Sequence, residues 1–421
     1  MLEPRFHPMF IPPRTHKLWL WPSGCLCSLI QLWSSAGAQN FTMQVANPDP
    51  LGLGQMIPGG DKLELGLSEG IKGVFAYGIR VNSVYDSNFF LEGSNAQSEI
   101  TTNFSPWLSY WSDPEGGARF SFGANYQPTF RIYQDNSNLN GFDQSGDISL
   151  RVEGAKTLIT AYSKYSEVSG TDRLTGSFIT GTVVNSGIQG SYKIAPRTTV
   201  GGMWSVATSD YGSSESVGAN IYNAQLGAYW AATERFSFGP SLRYSVAESD
   251  NIGSRGAWSL SVQAQYLVGE KTHVQGSIGV EYAQNSGDGE KDTVGLTGSL
   301  TASHEINDKW TVASSVLYAT VPSPTETGYV INNLEISAGL NRNLLRATLG
   351  FGIDYNYSNY ESVGSATANL DDENNLALFI SYRRNLFSER VGFDSQIRYS
   401  VNDGKTNWSQ FQLTAGLSVT F

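Results

Sequence analysis

The chain has 421 residues, of which only 15% are charged, and its formal net charge is −11. An acidic balance argues against a nucleic-acid partner, because such a partner requires a basic surface. The chain contains 45 glycines and 12% aromatic residues, and no segment shows a sustained 3.6-residue apolar period. This composition favours twisted β-strands over helices.

Residues 1–38 have the features of a secretory signal peptide. Basic residues precede the apolar run LWLWPSGCLCSLIQLW, and Ala36-Gly37-Ala38 forms a small-x-small cleavage site, so we expect the mature chain to begin at Gln39. Both cysteines of the chain, Cys25 and Cys27, lie inside this run, and the mature chain would have no disulfide. The alternative is a lipoprotein signal that ends at Cys25.

Residues 39–70 are polar and rich in glycine and proline, and we expect a periplasmic segment with little fixed structure, or a short plug. After residue 38, no apolar stretch approaches the roughly 18 residues that a membrane-spanning helix needs.

From residue 71 to residue 421, runs of alternating apolar and small or polar residues follow one another. In WSLSVQAQYLV (258–268), Trp258, Leu260 and Val262 fall on one face, whereas Ser259 and Ser261 fall on the other. A period of two indicates a strand with two different environments. Only the run KTLITAYSKYSEV (156–168) does not separate into an apolar and a polar face.

The breaks between these runs alternate between tight turns and longer polar loops. Antiparallel strands joined in turn by hairpins and loops produce this order, and we count about 18 strands. Short turns at one end and long loops at the other are typical of transmembrane β-barrels.

The residues of the two faces indicate which one meets lipid. The polar face is mostly Ser, Thr, Gly, Asn and Gln, whereas the exposed face of a soluble sandwich would be rich in charge. The apolar face carries aromatic residues at both ends, which fits two headgroup levels. They are Tyr110, Phe120, Trp230, Phe236, Trp310 and Phe421 toward the tight turns, and Phe130, Trp258, Tyr318, Tyr357 and Tyr399 toward the loops.

The sequence therefore predicts an all-β fold, a transmembrane antiparallel up-and-down β-barrel. The barrel must close, because lipid offers no partner for an open backbone edge. Pro106, Pro128 and Pro240 fall on lipid-facing positions, and we expect bulges or strand ends there.

Three segments carry a resemblance to a known family. The stretches YDSNFF, SPWLSY and YQPTFRIY, within residues 72–155, resemble the β-barrel porins of the second type of Gram-negative outer membranes. The resemblance implies an outer-membrane barrel and a channel. The last strand, LTAGLSVTF, ends on Phe421 and resembles the C-terminal signal by which the barrel-assembly machinery recognises its substrates.

Candidate catalytic and metal-binding residues are few. The mature chain has two histidines, His273 and His304, and both are expected beside the tight turns. Enzymatic barrels need a histidine at the loop rim, so we predict no catalytic residue. Because the mature chain would have no cysteine and no histidine pair, we also predict no metal and no cofactor. The spacing of Asn136, Asn138, Asn140 and Asp147 resembles a calcium loop, but an acidic first ligand is missing and a polar outer loop is the alternative.

Charged residues on the polar face are the candidate pore-lining set. An inner wall of mixed sign could steer ions or polar solutes, and the alternative is that these charges pair across strands and only line the barrel. By strand parity the set is Arg119, Arg131, Arg151, Arg243, Glu281, Glu335, Asp354, Arg383, Asp394 and Arg398.

The functional prediction is an outer-membrane channel for the diffusion of small polar solutes, with outer-membrane lipid as its surroundings and homo-oligomers as an open possibility. Two alternatives remain: a non-conducting structural or export-accessory barrel, for example in polysaccharide secretion, and a soluble secreted sandwich or adhesin.

Overall fold

The computed structural model describes residues 63–67, 71–113, 118–171, 178–211, 218–249, 253–286, 291–322, 329–362, 371–387, 390–404 and 407–421. Nearly all of these residues lie in strands, and one short 3₁₀ turn spans Ser137–Leu139. Across these ranges, no helix is long and apolar enough to cross a bilayer. The strands are β1 (Leu63–Leu67), β2 (Ile71–Asp86), β3 (Glu99–Trp111), β4 (Phe120–Tyr133), β5 (Gly141–Glu153), β6 (Thr157–Thr171), β7 (Phe178–Ala195), β8 (Thr198–Tyr211), β9 (Ala219–Ala231), β10 (Phe236–Ser249), β11 (Gly253–Val268), β12 (Thr272–Ser286), β13 (Thr293–Asn307), β14 (Trp310–Pro322), β15 (Tyr329–Asn343), β16 (Ala347–Ser362), β17 (Glu373–Asn385), β18 (Val391–Asp403) and β19 (Trp408–Thr420).

Strands β2 to β19 form a closed antiparallel barrel of 18 strands, which confirms the predicted fold class. Each strand pairs with the next one along the chain, and β19 pairs with β2 from Gln412↔Asp86 to Thr420↔Gly78. The last barrel strand is therefore the neighbour of the first, as closure requires.

The connections differ between the two ends of the barrel. At one end, turns such as 154–156 and 308–309 join the strands, and both register shifts of the sheet lie there, at Lys193/Ala195 and Glu305/Asn307. At the other end the connections are mostly longer, such as 87–98. The predicted order of tight turns and loops is therefore present.

Strand β1 lies outside the ring. It pairs with Ile71–Phe75, along the same edge of β2 that β19 pairs with farther on. Residues 63–67 thus form a strand within the predicted 39–70 segment, whereas the remainder of that segment and the predicted signal peptide 1–38 lie outside the described residues.

The outer face of the barrel is apolar. Its side chains include Leu226, Leu260 and Ile278, which are 68%, 63% and 69% exposed. Aromatic rings contact one another at both ends of this face, for example Phe130 with Phe142 toward the loops and Trp230 with Phe238 toward the turns. A wide apolar band exposed on a closed barrel is what a lipid-facing wall presents.

The three prolines of the outer face sit in continuous strands, so the expected bulges or strand ends are not found. Pro106 and Pro128 would face one another, because the register of Phe104↔Phe130 and Leu108↔Tyr126 is the same on both sides of them. The ladder between β3 and β4 is interrupted at this point, and the hydroxyls of Ser105 and Thr129 bond instead at 2.9 Å. Because the two prolines lie opposite each other, the hydrogen bonds that they remove are lost at a single point of the ladder between β3 and β4.

Candidate functional site: the inner face of the barrel

The inner face consists of the residues that alternate with the apolar outer ones. Register places Arg131, Arg151, Arg243, Glu281, Glu335, Asp354, Arg383, Asp394 and Arg398 on this face. Arg119 lies just before β4, at the tight-turn end, where its carbonyl accepts the N–H of Glu153 at 2.8 Å. All ten predicted residues belong to the described part of the chain.

Most of these charges are paired within the wall. The ion pairs that involve them are Arg131–Asp143 at 2.6 Å, Arg151–Glu153 at 2.6 Å, Arg243–Glu281 at 3.3 Å, Arg398–Asp354 at 3.1 Å and Arg80–Asp394 at 2.7 Å. The carboxylate of Glu335 accepts a hydrogen bond from Asn333 at 2.7 Å. Most of the predicted lining residues therefore form ion pairs with residues of other strands, which is the alternative given for these charges.

The pair between Arg243 and Glu281 shows how such contacts are built. Arg243 on β10 and Glu281 on β12 both pair with Ser259 of β11, so the ion pair passes over a small residue of the strand between them. Strands two apart are separated by about 9.5 Å, a gap that an arginine and a glutamate can close when they lie along the wall. Arg255 donates to the same carboxylate at 2.9 Å, and Ser259 donates at 2.8 Å. Two guanidinium groups thus share one carboxylate, and the cluster carries a net positive charge.

A second cluster crosses β17. Arg398 on β18 reaches Asp354 on β16 diagonally, because Asp354 stands opposite the fully buried Ala377 of β17 and Arg398 stands opposite Phe379. The guanidinium also lies 5.7 Å from the centre of the Phe379 ring. That ring covers Gly352, where a Cβ would overlap it, so the glycine leaves room for the aromatic residue.

A third ion pair lies at the seam of the barrel, where the last strand, β19, pairs with the first barrel strand, β2. Arg80 on β2 and Asp394 on β18 meet across β19, where Asp394 stands opposite Gly416 and Arg80 opposite Ser418. A Cβ on Gly416 would lie 3.2 Å from both carboxylate oxygens of Asp394, so this pair also passes over a small residue. At the tight-turn end of the same seam, the N–H of Phe421 donates to the carbonyl of Tyr77 at 2.9 Å, and their rings stack at 5.5 Å.

Glu99 organises the connection between β4 and β5. Glu99 is 1% exposed. Its carboxylate accepts hydrogen bonds from the backbone N–H groups of Gln134, Asp135 and Asn136 at 2.8, 3.1 and 2.9 Å. It also accepts one from the side-chain amide of Asn136 at 2.6 Å. Asn136 thus donates to a carboxylate, and the side-chain oxygen of Asn140 accepts the N–H of Tyr133 at 2.7 Å. Among the described residues, no group of three or more His, Cys, Asp or Glu side chains could hold a metal ion.

The first loop, residues 87–98, is fixed to β19. The side-chain amide of Asn88 donates to the carbonyls of Glu92 and Ser409 at 2.8 and 3.0 Å, and its oxygen accepts the N–H of Glu92 at 3.0 Å. Asp86 accepts the N–H of Asn88 at 2.9 Å and the side-chain amides of Gln410 and Gln412 at 2.7 and 2.9 Å.

Strands β5 and β6 separate toward the loop end. Their pairing stops at Ser145↔Ser166, although β5 begins at Gly141 and β6 continues to Thr171. Side chains replace the missing ladder: Glu167 accepts the N–H of Gln144 at 2.8 Å, and Ser169 donates to Asp143 at 2.9 Å. Arg131 also donates to the carbonyl of Ser169 at 2.5 Å.

The two histidines lie toward the tight turns, as expected. His273 contacts the Gln265 amide at 2.8 Å, and His304 contacts the Thr272 hydroxyl at 2.7 Å. Neither is near the loop-side residues Glu99, Asn88 and Arg131, because His273 follows the β11–β12 turn and His304 precedes the β13–β14 turn.

Sequence reasoning missed four partners of the predicted charges: Arg80, Asp143, Glu153 and Arg255. Parity could have found Arg80 and Asp143, since both alternate with outer-face residues of their strands. Arg255 was missed because the alternating run in the sequence starts at residue 258, whereas β11 begins at Gly253.

Comparison with known proteins gives similarity in solved structures only. No model of a protein family matches the chain, and no curated protein matches it. OccK1 (OpdK) of Pseudomonas aeruginosa is 11% identical with a TM-score of 0.47, over 82% of this chain and 99% of that one. OprD of the same organism is 11% identical with a TM-score of 0.43, over 86% and 100% of the two chains. The FrpB iron transporter of Neisseria meningitidis is 11% identical with a TM-score of 0.42, over 80% of this chain, and this chain spans 62% of its length.

Proposed function

We propose that the protein is an outer-membrane channel of a Gram-negative bacterium through which small polar solutes diffuse. The observation that carries the proposal is the contrast between the two faces of a closed 18-strand barrel. The outer face is apolar between two groups of aromatic rings, whereas the inner face carries hydroxyl, amide and charged groups. Barrels of 16–18 strands are wide enough to enclose an aqueous channel.

The form of the ion pairs supports this function. Each of Arg243–Glu281, Arg398–Asp354 and Arg80–Asp394 passes over one strand and lies along the wall. Such a pair neutralises charge without extending to the opposite side of the barrel. The ten lining residues of the prediction then act through pore width and local charge, and none acts as a catalyst.

In this proposal residues 1–38 direct export, residues 39–70 lie in the periplasm, and Phe421 is part of the signal read by the barrel-assembly machinery. Phe421 is 46% exposed at the tight-turn end, where its ring stacks on Tyr77.

The second candidate is a non-conducting structural or export-accessory barrel. It is favoured by the extensive pairing of the inner charges and by a first loop that is bonded to other parts of the loop-side end. Planar-bilayer recording of the purified, refolded barrel separates the two candidates. The channel proposal expects discrete conductance steps that scale with salt concentration. Bilayers that contain the heat-modifiable, folded protein and show no steps would favour the accessory barrel.

A further inference from the structure

An aromatic cluster joins the first loop to the ends of three strands on the loop side of the barrel. Phe89 of the first loop lies 5.4 Å from the Tyr133 ring of β4 and 6.0 Å from the Phe178 ring of β7, and Tyr133 lies 5.9 Å from Phe178. The hydroxyl of Thr171, the last residue of β6, donates to the carbonyl of Phe89 at 2.6 Å. These four residues are named the mouth clasp.

Thr171 and Phe89 could not meet if both segments kept the positions of their strands in the barrel wall. Strand β2 ends at Asp86, and β6 is four interstrand steps away, which is about 19 Å at the usual strand spacing. The three residues from Asp86 to Phe89 span at most about 11 Å when fully extended. The first loop alone cannot reach β6, so the end of β6 must also lean toward the first loop for the two to meet.

The separation of β5 from β6 permits this lean. Above Ser145↔Ser166 the end of β6 is no longer held in the sheet by β5, and it remains paired with β7 alone. Arg131 and Asp143, both on the inner face, hold Ser169 through its carbonyl and hydroxyl. The β6–β7 end is thus drawn toward the inner side of the barrel.

The residue directly before Phe89 attaches the first loop to β19. Asn88 donates to the carbonyl of Ser409 on β19, so the loop connects β19 with β6 and β7. From β19 to β7 there are six of the eighteen interstrand steps of the ring, which is a third of its circumference. A connection between two such points lies across the mouth rather than around its rim.

We propose that the mouth clasp sets the size limit for solutes that enter from the loop side. This proposal rests on the proposed channel function and assigns to it a specificity-determining element. The ion-paired side chains below lie along the inner wall, so among the described residues the clasp is the feature that crosses the entrance. Pore width at such a crossing decides which solutes pass. Phe89 and Tyr133 are 8% and 3% exposed, so the crossing is packed and holds its position.

The test compares three variants in a background that carries Gln127→Cys. Gln127 lies on the inner face of β4, pairs with Ser145 and is exposed, and the mature chain has no other cysteine if residues 1–38 are removed. Phe89→Ala/Phe178→Ala removes two rings of the clasp. Thr171→Val removes only the hydroxyl. Tyr244→Ala/Trp258→Ala removes two contacting rings from the outer face toward the loops and is the matched control.

The measurement is labelling of the introduced thiol at position 127 in intact cells, with maleimides on polyethylene glycol chains of increasing length. We expect Phe89→Ala/Phe178→Ala to admit longer reagents than the parent and Thr171→Val to show a smaller shift. The outer-face control Tyr244→Ala/Trp258→Ala should match the parent. In bilayers, Phe89→Ala/Phe178→Ala should also conduct about twofold more, because a wider entrance carries more ions. An unchanged labelling limit in folded Phe89→Ala/Phe178→Ala, shown by heat-modifiable migration on a gel, would overturn the proposal.

The two proposals fail in different ways. If the labelling limit shifts but neither protein conducts, the clasp limits entry and the channel proposal is wrong. If the parent conducts and the limit does not shift, the channel proposal stands and the clasp does not set the size limit.

Discussion

Glu99 is the residue on which the order of the β4–β5 connection most depends. Its carboxylate accepts four hydrogen bonds from Gln134, Asp135 and Asn136, of which two, from the N–H and the side-chain amide of Asn136, go to the same oxygen at 2.9 and 2.6 Å. In Glu99→Gln an NH2 group, which cannot accept a hydrogen bond, replaces one carboxylate oxygen. The substitution thus keeps the shape of the side chain and removes at least two of the bonds.

The expected loss can be estimated from these contacts. Hydrogen bonds to a charged group contribute about 1.5–3 kcal/mol, and part of this is recovered when the loop becomes hydrated. We expect the connection to open about 2 kcal/mol more easily, and amide hydrogen exchange at 134–136 should become about 30-fold faster. Global stability should fall by less, because these residues form a connection rather than part of the ladder.

Hydrogen exchange with mass spectrometry on the folded barrel measures this effect. Glu153→Gln is the matched control, since Glu153 pairs with Arg151 at 2.6 Å but its side chain is 49% exposed and such a pair contributes little. If the amides of 134–136 exchange at the same rate in Glu99→Gln and in the parent, the carboxylate does not hold the connection and the reasoning is refuted.

Three further substitutions test the inner face. Gly352→Ala should lower the free energy of unfolding by about 1–3 kcal/mol in urea titrations, because a Cβ there overlaps the Phe379 ring, whereas Gly190→Ala, whose nearest contacts would be 3.7–3.8 Å, should cost little. Glu281→Gln removes the carboxylate shared by two arginines, so the reversal potential in a salt gradient should move toward anion selectivity; an unchanged potential would show that this cluster lies outside the ion path. Asp394→Asn should cost no more than about 1 kcal/mol in a urea titration, because the Arg80 side chain is 38% exposed, and a much larger loss would mean that the seam depends on this pair.

The fold could be predicted because each strand has two different environments. Trp258, Leu260 and Val262 of β11 lie on the outer face and Ser259 and Ser261 on the inner one, and period-two alternation alone separates them. The run 156–168 lacks a clean alternation for a physical reason. Its loop-side part separates from β5 beyond Ser166 and stays paired with β7 alone. There Glu167, at an outer position, replaces a ladder bond by accepting the N–H of Gln144.

The candidate site could be predicted only as a set of charges. Parity places Arg243 and Glu281 on one face, but their contact depends on register, since both must stand opposite Ser259. The first loop shows the same limit. The sequence YDSNFF does not indicate that the Phe89 ring contacts the Phe178 ring, because that contact requires the separation of β5 from β6.

The central claim is that the outer face meets acyl chains and the inner face surrounds water. A cysteine scan along β11, from Trp258 to Val262, in the barrel reconstituted into liposomes tests this claim most directly. Each cysteine is labelled with a fluorophore, and quenching by lipids with brominated chains is compared with quenching by iodide in the buffer. The account predicts strict alternation, with strong lipid quenching at 258, 260 and 262 and strong iodide quenching at 259 and 261. Equal quenching by either agent at successive positions, or iodide access to position 260, would contradict it.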